Sequence, residues 1–144
     1  MNNLNVSRLW GVFCVLASLV LVGCAAGGGE KKQETLAERA QARWDLLIGK
    51  QIGLAWEYLT PGARIETGKE AYIRETLVKP VRWRSARYLS QVCDSPEQCR
   101  VKMSVSIEVR SHLTGVGMVG TEMVVTETWL KTDGNWYFLP PVAQ

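Results

Sequence analysis

The chain has 144 residues, with 17 basic and 14 acidic side chains, a formal net charge of +3 and a hydrophobic content of 47%. A charge balance this mild argues against nucleic acid as a partner, and the supply of apolar residues argues against a disordered chain. Residues 24 to 144 have the size of one domain with a single core.

The N-terminus carries the pattern of a bacterial export signal. Residues 1 to 8 are polar and include Arg8, and residues 9 to 22 form an apolar run shorter than the ~20 residues of a membrane-spanning helix. The run ends in Leu21-Val22-Gly23-Cys24, which resembles the lipobox of bacterial lipoproteins. The resemblance implies that residues 1 to 23 are a signal peptide and that Cys24 receives lipid. The alternatives are an uncleaved anchor and a secretory signal with a chance cysteine.

A short spacer follows the lipidation site. It contains three consecutive glycines and then Glu30-Lys31-Lys32-Gln33, a polar and flexible composition. We therefore divide the chain into a signal peptide (residues 1 to 23), a lipidated tether (24 to 33) and a folded domain (34 to 144). In many lipoproteins an Asp after the lipidated cysteine retains the protein in the inner membrane. Ala25 therefore favours the outer membrane, with the domain facing the periplasm and acyl chains on Cys24 as its attachment.

The remaining cysteines predict a disulfide. Cys14 lies in the leader and Cys24 is assigned to lipid, which leaves Cys93 and Cys99 in an exported domain, on either side of turn-forming residues. Closing so short a loop is worth about 2 kcal/mol. The rival interpretations are a redox pair or a zinc site. Cys-x5-Cys is not a redox spacing, and His112 is the one histidine available to such a zinc site, so we predict no metal and no cofactor.

Three helices are predicted after the tether. The first, over residues 34 to 48, has its polar residues, Arg43 among them, outside an apolar stripe of Leu36, Ala40, Trp44, Leu47 and Ile48. A second helix over residues 51 to 59 is expected to stop at Thr60-Pro61-Gly62. A third covers residues 69 to 77 and ends before Pro80.

Beyond Pro80 the pattern changes to a period of two, which predicts a sheet. Residues 101 to 110 alternate apolar and polar side chains, so that strand has one buried face and one solvated face. Residues 81 to 92 and 118 to 131 are similarly rich in strand-forming residues. Thr132-Asp133-Gly134-Asn135 predicts a hairpin into a last strand over residues 136 to 139. The expected fold class is α+β.

Three phrases of the domain resemble the NTF2-like superfamily, whose cone fold is shared by SnoaL-like proteins and ketosteroid isomerases. They are Ala42-Arg43-Trp44-Asp45-Leu46-Leu47, residues 55 to 62 (AWEYLTPG) and residues 129 to 137 (WLKTDGNWY). The resemblance covers residues 36 to 139. It implies three N-terminal helices packed on a strongly bent four-stranded antiparallel sheet, with a conical pocket between the first helix and the sheet.

Candidate pocket residues follow from that fold. Isomerases of the superfamily use an Asp as base and a Tyr with a protonated acid as oxyanion donors. None of Asp45, Asp94 and Asp133 aligns with such a base, and a half-buried tyrosine more often has only a packing role, which applies to Tyr58, Tyr72 and Tyr88 alike. The residues that we assign to the pocket are Trp44, Tyr58, Tyr72, Glu127 and Trp129.

Glu127 is the acidic residue of most interest in this set. It shares its strand parity with Met123, Val125 and Trp129, so if that parity faces the cone, a carboxylate enters an apolar cavity and favours its protonated form. The opposite parity, which contains Val124, is nearly as apolar. The pattern does not choose between the two faces.

Two further motifs have ordinary structural explanations. Residues 115 to 120 spell G-x-G-x-x-G, but the residues that follow predict a strand rather than the helix that a dinucleotide site requires. Beside this loop His112 is expected to be exposed. The basic run of Lys79, Arg82, Arg84 and Arg87 is either a solvated sheet face or a surface for anionic headgroups or a charged envelope partner.

The sequence therefore predicts a membrane-anchored lipoprotein with a non-catalytic domain that acts in periplasmic binding or envelope assembly. Its partners are the membrane, through Cys24, and either an envelope protein or a small apolar ligand, with no nucleic acid. The alternative is a SnoaL-like enzyme that acts on an apolar ligand in the cone.

Overall fold

A computed structural model describes residues 33 to 111, 115 and 117 to 141. The helices come first along the chain and the strands follow them. The described part of the chain contains four α-helices, with a short 3-10 segment, Trp56–Tyr58, directly after the second: α1 Leu36–Ile48, α2 Ile52–Ala55, α3 Pro61–Thr67 and α4 Lys69–Leu77.

Helix α1 starts and stops at residues that the sequence suits to those roles. Thr35 is the N-cap of a capping box: its hydroxyl accepts from the backbone N–H of Glu38, whose carboxylate accepts from the N–H of Thr35 at 2.7 Å. Gly49 ends the helix. The predicted stripe packs inward at Leu36, Ala40, Trp44 and Leu47.

The helix count differs from the predicted three because of Thr60-Pro61-Gly62. We expected this triplet to end the second helix, and the helical segment does end before it, at Tyr58, but the triplet also starts α3. The Thr60 hydroxyl accepts from the N–H of Ala63, and Pro61 occupies the first helical turn, where its missing N–H costs nothing. The same residue types therefore serve as a stop for one segment and as a start for the next.

The second half of the domain is an open antiparallel sheet. Its four strands follow one another in chain order, so β1 and β4 lie at opposite edges and the sheet does not close into a barrel: β1 Val81–Ser95, β2 Gln98–Arg110, β3 Met118–Thr132 and β4 Asn135–Leu139. Asp133 and Gly134 have φ angles of 50° and 79°, which suits the tight turn that we predicted between β3 and β4. Strand β1 is longer than predicted, because only Pro96 and Glu97 form the turn into β2.

The strand register identifies the two faces of the sheet. Directly opposed residues of an antiparallel pair lie on one face, and β2 buries Val101, Met103 and Val105 beneath the helices. Their partners on β3 are Glu127, Val125 and Met123. We call this the inner face. Irregularities in the β1–β2 register between residues 83 and 85, 88 and 90, and 93 and 95 mark bulges, which bend a strand locally.

The edges of the sheet are partly covered by the helical half. Leu59 forms a parallel bridge with Phe138 of β4, and the N–H of Thr60 donates to the carbonyl of Phe138 at 2.9 Å. At the other edge, α1 packs against β1. Over the residues described, no helix is both long enough and apolar enough to cross a membrane.

Candidate functional site

Glu127 lies at the centre of the layer between α1 and the sheet. It is only 3% exposed, and both of its carboxylate oxygens accept hydrogen bonds. Oε1 accepts from Nη1 of Arg43 at 2.7 Å, and Oε2 accepts from the indole N–H of Trp129 at 3.1 Å. The carboxylate is therefore fixed from two sides by buried donors.

Arg43 reaches this site from α1 and is itself buried, with 5% of its surface exposed. Its guanidinium carbon lies 3.8 Å from the centre of the Phe138 ring, in cation–π range. We expected Arg43 to face solvent, and the structure corrects this. Arg43 follows Leu36 by seven residues, which is two helical turns, so its position belongs to the inward stripe and its charge is satisfied there by Glu127.

The surroundings of Glu127 also differ from the expectation. The sequence left open which β3 parity faces the helices, and the structure turns Glu127 and Trp129 inward while Val124 stays 59% exposed. For this parity the sequence predicted a carboxylate in an apolar cavity. The structure instead places the guanidinium of Arg43 at hydrogen-bonding distance from it.

Two buried donors in the same layer have no acceptor among the described residues. They are Nε of Arg43 and Nε1 of Trp44. The Trp44 ring packs edge-on against Trp83 of β1, with ring centres 5.9 Å apart and planes at 90°. Buried N–H groups are nearly always paired, so each of these donors would be stabilised by an acceptor. Nε1 of Trp56, on the 3-10 segment, is a third buried donor of this kind.

The tyrosines assigned to the pocket lie elsewhere. Tyr58 belongs to the 3-10 segment, and its ring lies under the guanidinium of Arg39, 4.7 Å away. Tyr72 is on α4, which packs against α2 and the 3-10 segment. In the part of the chain that the structure describes, no hydrogen bond joins a tyrosine to Glu127. The fold thus brings Trp44, Glu127 and Trp129 beneath α1 and leaves both phenols outside that group.

Arg39 fastens α1 to the edge of the sheet. Its Nε donates to the backbone carbonyl of Trp136 at 2.8 Å, and its guanidinium also lies 5.6 Å from the Tyr137 ring. Since Glu34 pairs with the same guanidinium at 3.1 Å, the arginine is held by a carbonyl, a carboxylate and two rings. This arrangement is structural, because each of these contacts lies within the domain.

A second charged group lies on the neighbouring helices. Glu57 accepts from Nζ of Lys69 at 2.9 Å and from Nη1 of Arg64 at 3.3 Å. The hydrogen bond from Lys69 is the main reason that the pKa of the Glu57 carboxyl lies below its ordinary value of 4.5. Both cations lie near the Trp56 ring, so this group ties α3 and α4 to the 3-10 segment.

The inner face continues as an open apolar strip toward the end of the sheet where β1 begins. Val119 and Met123 of β3 are 43% and 46% exposed, although their parity is the buried one. Val109, which lies opposite Val119, is half-buried, as are Ile107 and Trp83 next to it on the same face. We call this set the apolar strip: Trp83, Ile107, Val109, Val119 and Met123. An apolar surface beside buried free donors is the composition of a small-ligand site.

The remaining motifs divide between described and undescribed residues. Cys93 and Cys99 are opposed across β1 and β2 and are joined by a disulfide. Gly120 lies within β3, so the glycine motif leads into a strand and lacks the helix that a dinucleotide site needs. Cys24, the predicted lipidation site, and His112 lie outside the described residues. Within the described ranges, no three acidic, histidine or cysteine side chains gather as metal ligands.

Comparison with known proteins finds similarity at the level of structure. No protein-family model matches the sequence, and neither does any curated protein. A SEC-C motif protein from Rhodopseudomonas palustris is similar in structure, with a TM-score of 0.55 and 13% identity over 72% of this chain and 73% of that one. The likeness is one of fold. It supports a small α+β architecture and says nothing of activity.

Aln2 from a Streptomyces species matches at a TM-score of 0.47 and 13% identity, over 74% and 89% of the two chains.

Proposed function

We propose that this protein is a lipid-anchored component of a bacterial envelope whose NTF2-like cone binds a small, largely apolar ligand without transforming it. The lipobox-like Leu21-Val22-Gly23-Cys24 supports the anchor. The α+β architecture, with α1 lying on the inner face of the sheet, supports the cone. In this proposal the domain faces the periplasm from the outer membrane, held there by acyl chains on Cys24.

The observation that carries the binding proposal is the pair of buried donors without acceptors, Nε of Arg43 and Nε1 of Trp44. A ligand oxygen that accepts from them would satisfy groups that are costly to leave unpaired. The apolar strip beside them would take the hydrocarbon part of the same ligand. A neutral carbonyl fits better than a carboxylate, because the charge of Arg43 is already balanced by Glu127.

The state of Glu127 is the reason that we favour binding over catalysis. A general base must be within reach of the substrate, whereas Glu127 is almost fully buried and each of its oxygens already accepts a hydrogen bond, from Arg43 or from Trp129. The alternative function, a SnoaL-like enzyme, requires an acid and a phenol that converge on one point. Tyr88, the nearest candidate phenol along the sheet, instead places its hydroxyl 3.4 Å from the side chain of Gln91.

Calorimetric titration of the protein with 2-octanone tests the binding proposal. Octylammonium has the same chain length and no acceptor, so it is the matched control ligand. We expect heat of binding with the ketone alone, and we expect Trp44→Phe, which removes the donor but keeps a ring, to weaken it several-fold. Trp136→Phe is the control, since the Trp136 indole is only half-buried. Equal binding of both ligands, or no effect of Trp44→Phe, contradicts the proposal.

Growth with radiolabelled palmitate tests the anchor. The wild-type protein should incorporate label and remain in the membrane fraction after a high-salt wash, and Cys24→Ser should do neither. The Cys93→Ser protein is the matched control, because it also loses a thiol and should still be labelled. Crosslinking in intact envelopes, followed by mass spectrometry, then tests whether an envelope protein is bound as well. Unlabelled wild-type protein rejects the lipoprotein assignment.

A further inference from the structure

The face of the sheet turned away from α1 carries a row of basic side chains. Residues of β2 with even numbers point to this side, and their β1 partners share it: Arg82 lies opposite Glu108, and Arg87 lies opposite Ser104. We call it the basic face and define it by exposed side chains on two neighbouring strands: Arg82, Arg87, Lys102 and Arg110.

Of the three acidic residues on this side of β1 to β3, two are in ion pairs, and the third, Glu122, keeps its charge beside the four basic residues. Glu108 pairs with Arg84 at 3.1 Å, and Asp94 pairs with Arg100 at 3.0 Å. Glu122 accepts a hydrogen bond from the hydroxyl of Ser104. Within the described ranges, none of the four residues of the basic face takes part in an ion pair. Their charges are therefore free to act on something outside the domain.

The composition of this side distinguishes between possible partners. Protein interfaces depend on buried aromatic anchors, and on β1, β2 and β3 this side has none. A second copy of the chain is disfavoured as well, since it would place like charges opposite each other. Between the basic residues lie serine and threonine hydroxyls and the exposed aliphatic side chains Val92 and Val124. Such a surface suits phosphate headgroups and shallow contact with acyl chains.

We propose that the basic face docks on the anionic phospholipid surface of the membrane that holds the lipid anchor. The inference depends on the proposed lipidation of Cys24. Residues 24 to 33 can span at most ~36 Å when extended, so the anchored domain stays within reach of the bilayer surface. The docked domain lies with its sheet against the headgroups and its helices turned away from the bilayer.

Amine footprinting of the lipidated protein in nanodiscs tests this orientation, because the chain provides its own probes. Lys102 lies on the basic face, and Lys50 lies exposed at the end of α1. In discs that mix phosphatidylglycerol with phosphatidylcholine, Lys102 should be modified several-fold more slowly than in pure phosphatidylcholine. High salt should abolish the difference, and Lys50 should react equally in all conditions.

The variant Arg82→Ser with Arg87→Ser should reduce the ratio of docked to free domain by roughly 30-fold, because each basic side chain near an anionic surface contributes about fivefold. Arg74→Ser, which removes an exposed arginine from α4, should leave protection of Lys102 unchanged.

Equal modification of Lys102 in the two kinds of disc overturns the inference, as does protection that persists in high salt. Crosslinking of Lys102 to a soluble acidic protein, independent of lipid composition, also overturns it. Palmitate labelling of the same preparation separates the two proposals: labelled protein without protection rejects only the docking, and unlabelled protein rejects both.

Discussion

Among single side-chain contacts, the one between Arg43 and Glu127 should contribute most to the free energy of unfolding. Removing one member of a buried ion pair leaves the other charge unpaired in a medium that solvates it poorly. We therefore expect Arg43→Met to lower the free energy of unfolding by about 3 to 5 kcal/mol, measured by urea denaturation. The combined change Arg43→Met and Glu127→Leu should cost less than the sum of the two single changes.

An exposed ion pair of the same domain provides the control for that experiment. Asp94 and Arg100 pair at 3.0 Å with about half of each side chain exposed. Asp94→Asn should therefore change the free energy of unfolding by at most about 1 kcal/mol. If Arg43→Met proves no more costly than Asp94→Asn, the buried pair does not hold the helix to the sheet as described.

The stability of the domain at acidic pH should depend on the ion pair between Glu57 and Lys69. Glu57 has a lowered pKa in the folded domain, so its ion pairs contribute stability above the unfolded value near 4.5 and lose that contribution as the pH falls through the folded pKa. We expect an NMR titration of the Glu57 carboxyl to have its midpoint below 4.5. Lys69→Met should move the midpoint upward, and Lys50→Met, which changes a distant lysine, should not. A midpoint that ignores Lys69 contradicts the prediction.

At the level of secondary structure, α1 protects the exposed edge of β1 with one side chain. The amide of Gln41 donates to the carbonyl of Ala86 at 3.0 Å and accepts from the N–H of Tyr88 at 3.0 Å. It thereby fills two positions that another strand would otherwise occupy. Gln41→Ala should lower the free energy of unfolding by about 2 kcal/mol and increase self-association, measured by light scattering.

Gln51→Ala is the appropriate comparison for this edge. Gln51 is an exposed glutamine at the start of α2, and its side chain forms no capping hydrogen bond. The protein with this change should self-associate no more than the wild type and be as stable. Aggregation of both variants to the same extent would mean that Gln41 does not shield the strand.

The elements that the sequence predicted well are those specified by local patterns. The alternation of apolar and polar residues predicted β2, and the Asp133-Gly134 turn predicted the last hairpin. The spacing of Leu36, Ala40 and Trp44 predicted α1, and the structure contains all three elements. The start of α3 at Thr60-Pro61-Gly62 was missed because the same residue types end one helix and begin another. The spacing of Arg43 from Leu36 is that of the inward stripe, but its charge suggested a solvated residue. The partner that satisfies this charge, Glu127, lies 84 residues away.

At the scale of the whole domain, the disulfide should give a modest increase in stability. Cys93 and Cys99 close a short loop, for which chain entropy predicts about 2 kcal/mol. We expect the free energy of unfolding of the Cys93→Ala, Cys99→Ala protein to be lower by that amount, measured by urea denaturation. A reducing agent should then have no further effect on it, whereas it should destabilise the wild type to a similar degree. A much larger loss would indicate that the bridge organises more than its own turn.

The overall architecture could be anticipated, whereas the arrangement of the candidate site could not. The change of period at Pro80 separated a helical half from a sheet, and the structure has that order. Which side of β3 faces α1 was undecidable, because both parities are apolar. That choice is made by a contact between distant segments, because Arg43 of α1 requires the carboxylate of Glu127 on the inner side.

The unequal exposure of the two bridged cysteines has a chemical consequence. Cys93 is open to solvent, whereas Cys99 is fully buried. An incoming thiolate can therefore attack only the sulfur of Cys93, which forms a mixed disulfide there and expels the sulfur of Cys99 as the leaving group. That anion would emerge in an apolar interior that solvates it poorly, so reductants should open the bridge slowly while the domain stays folded.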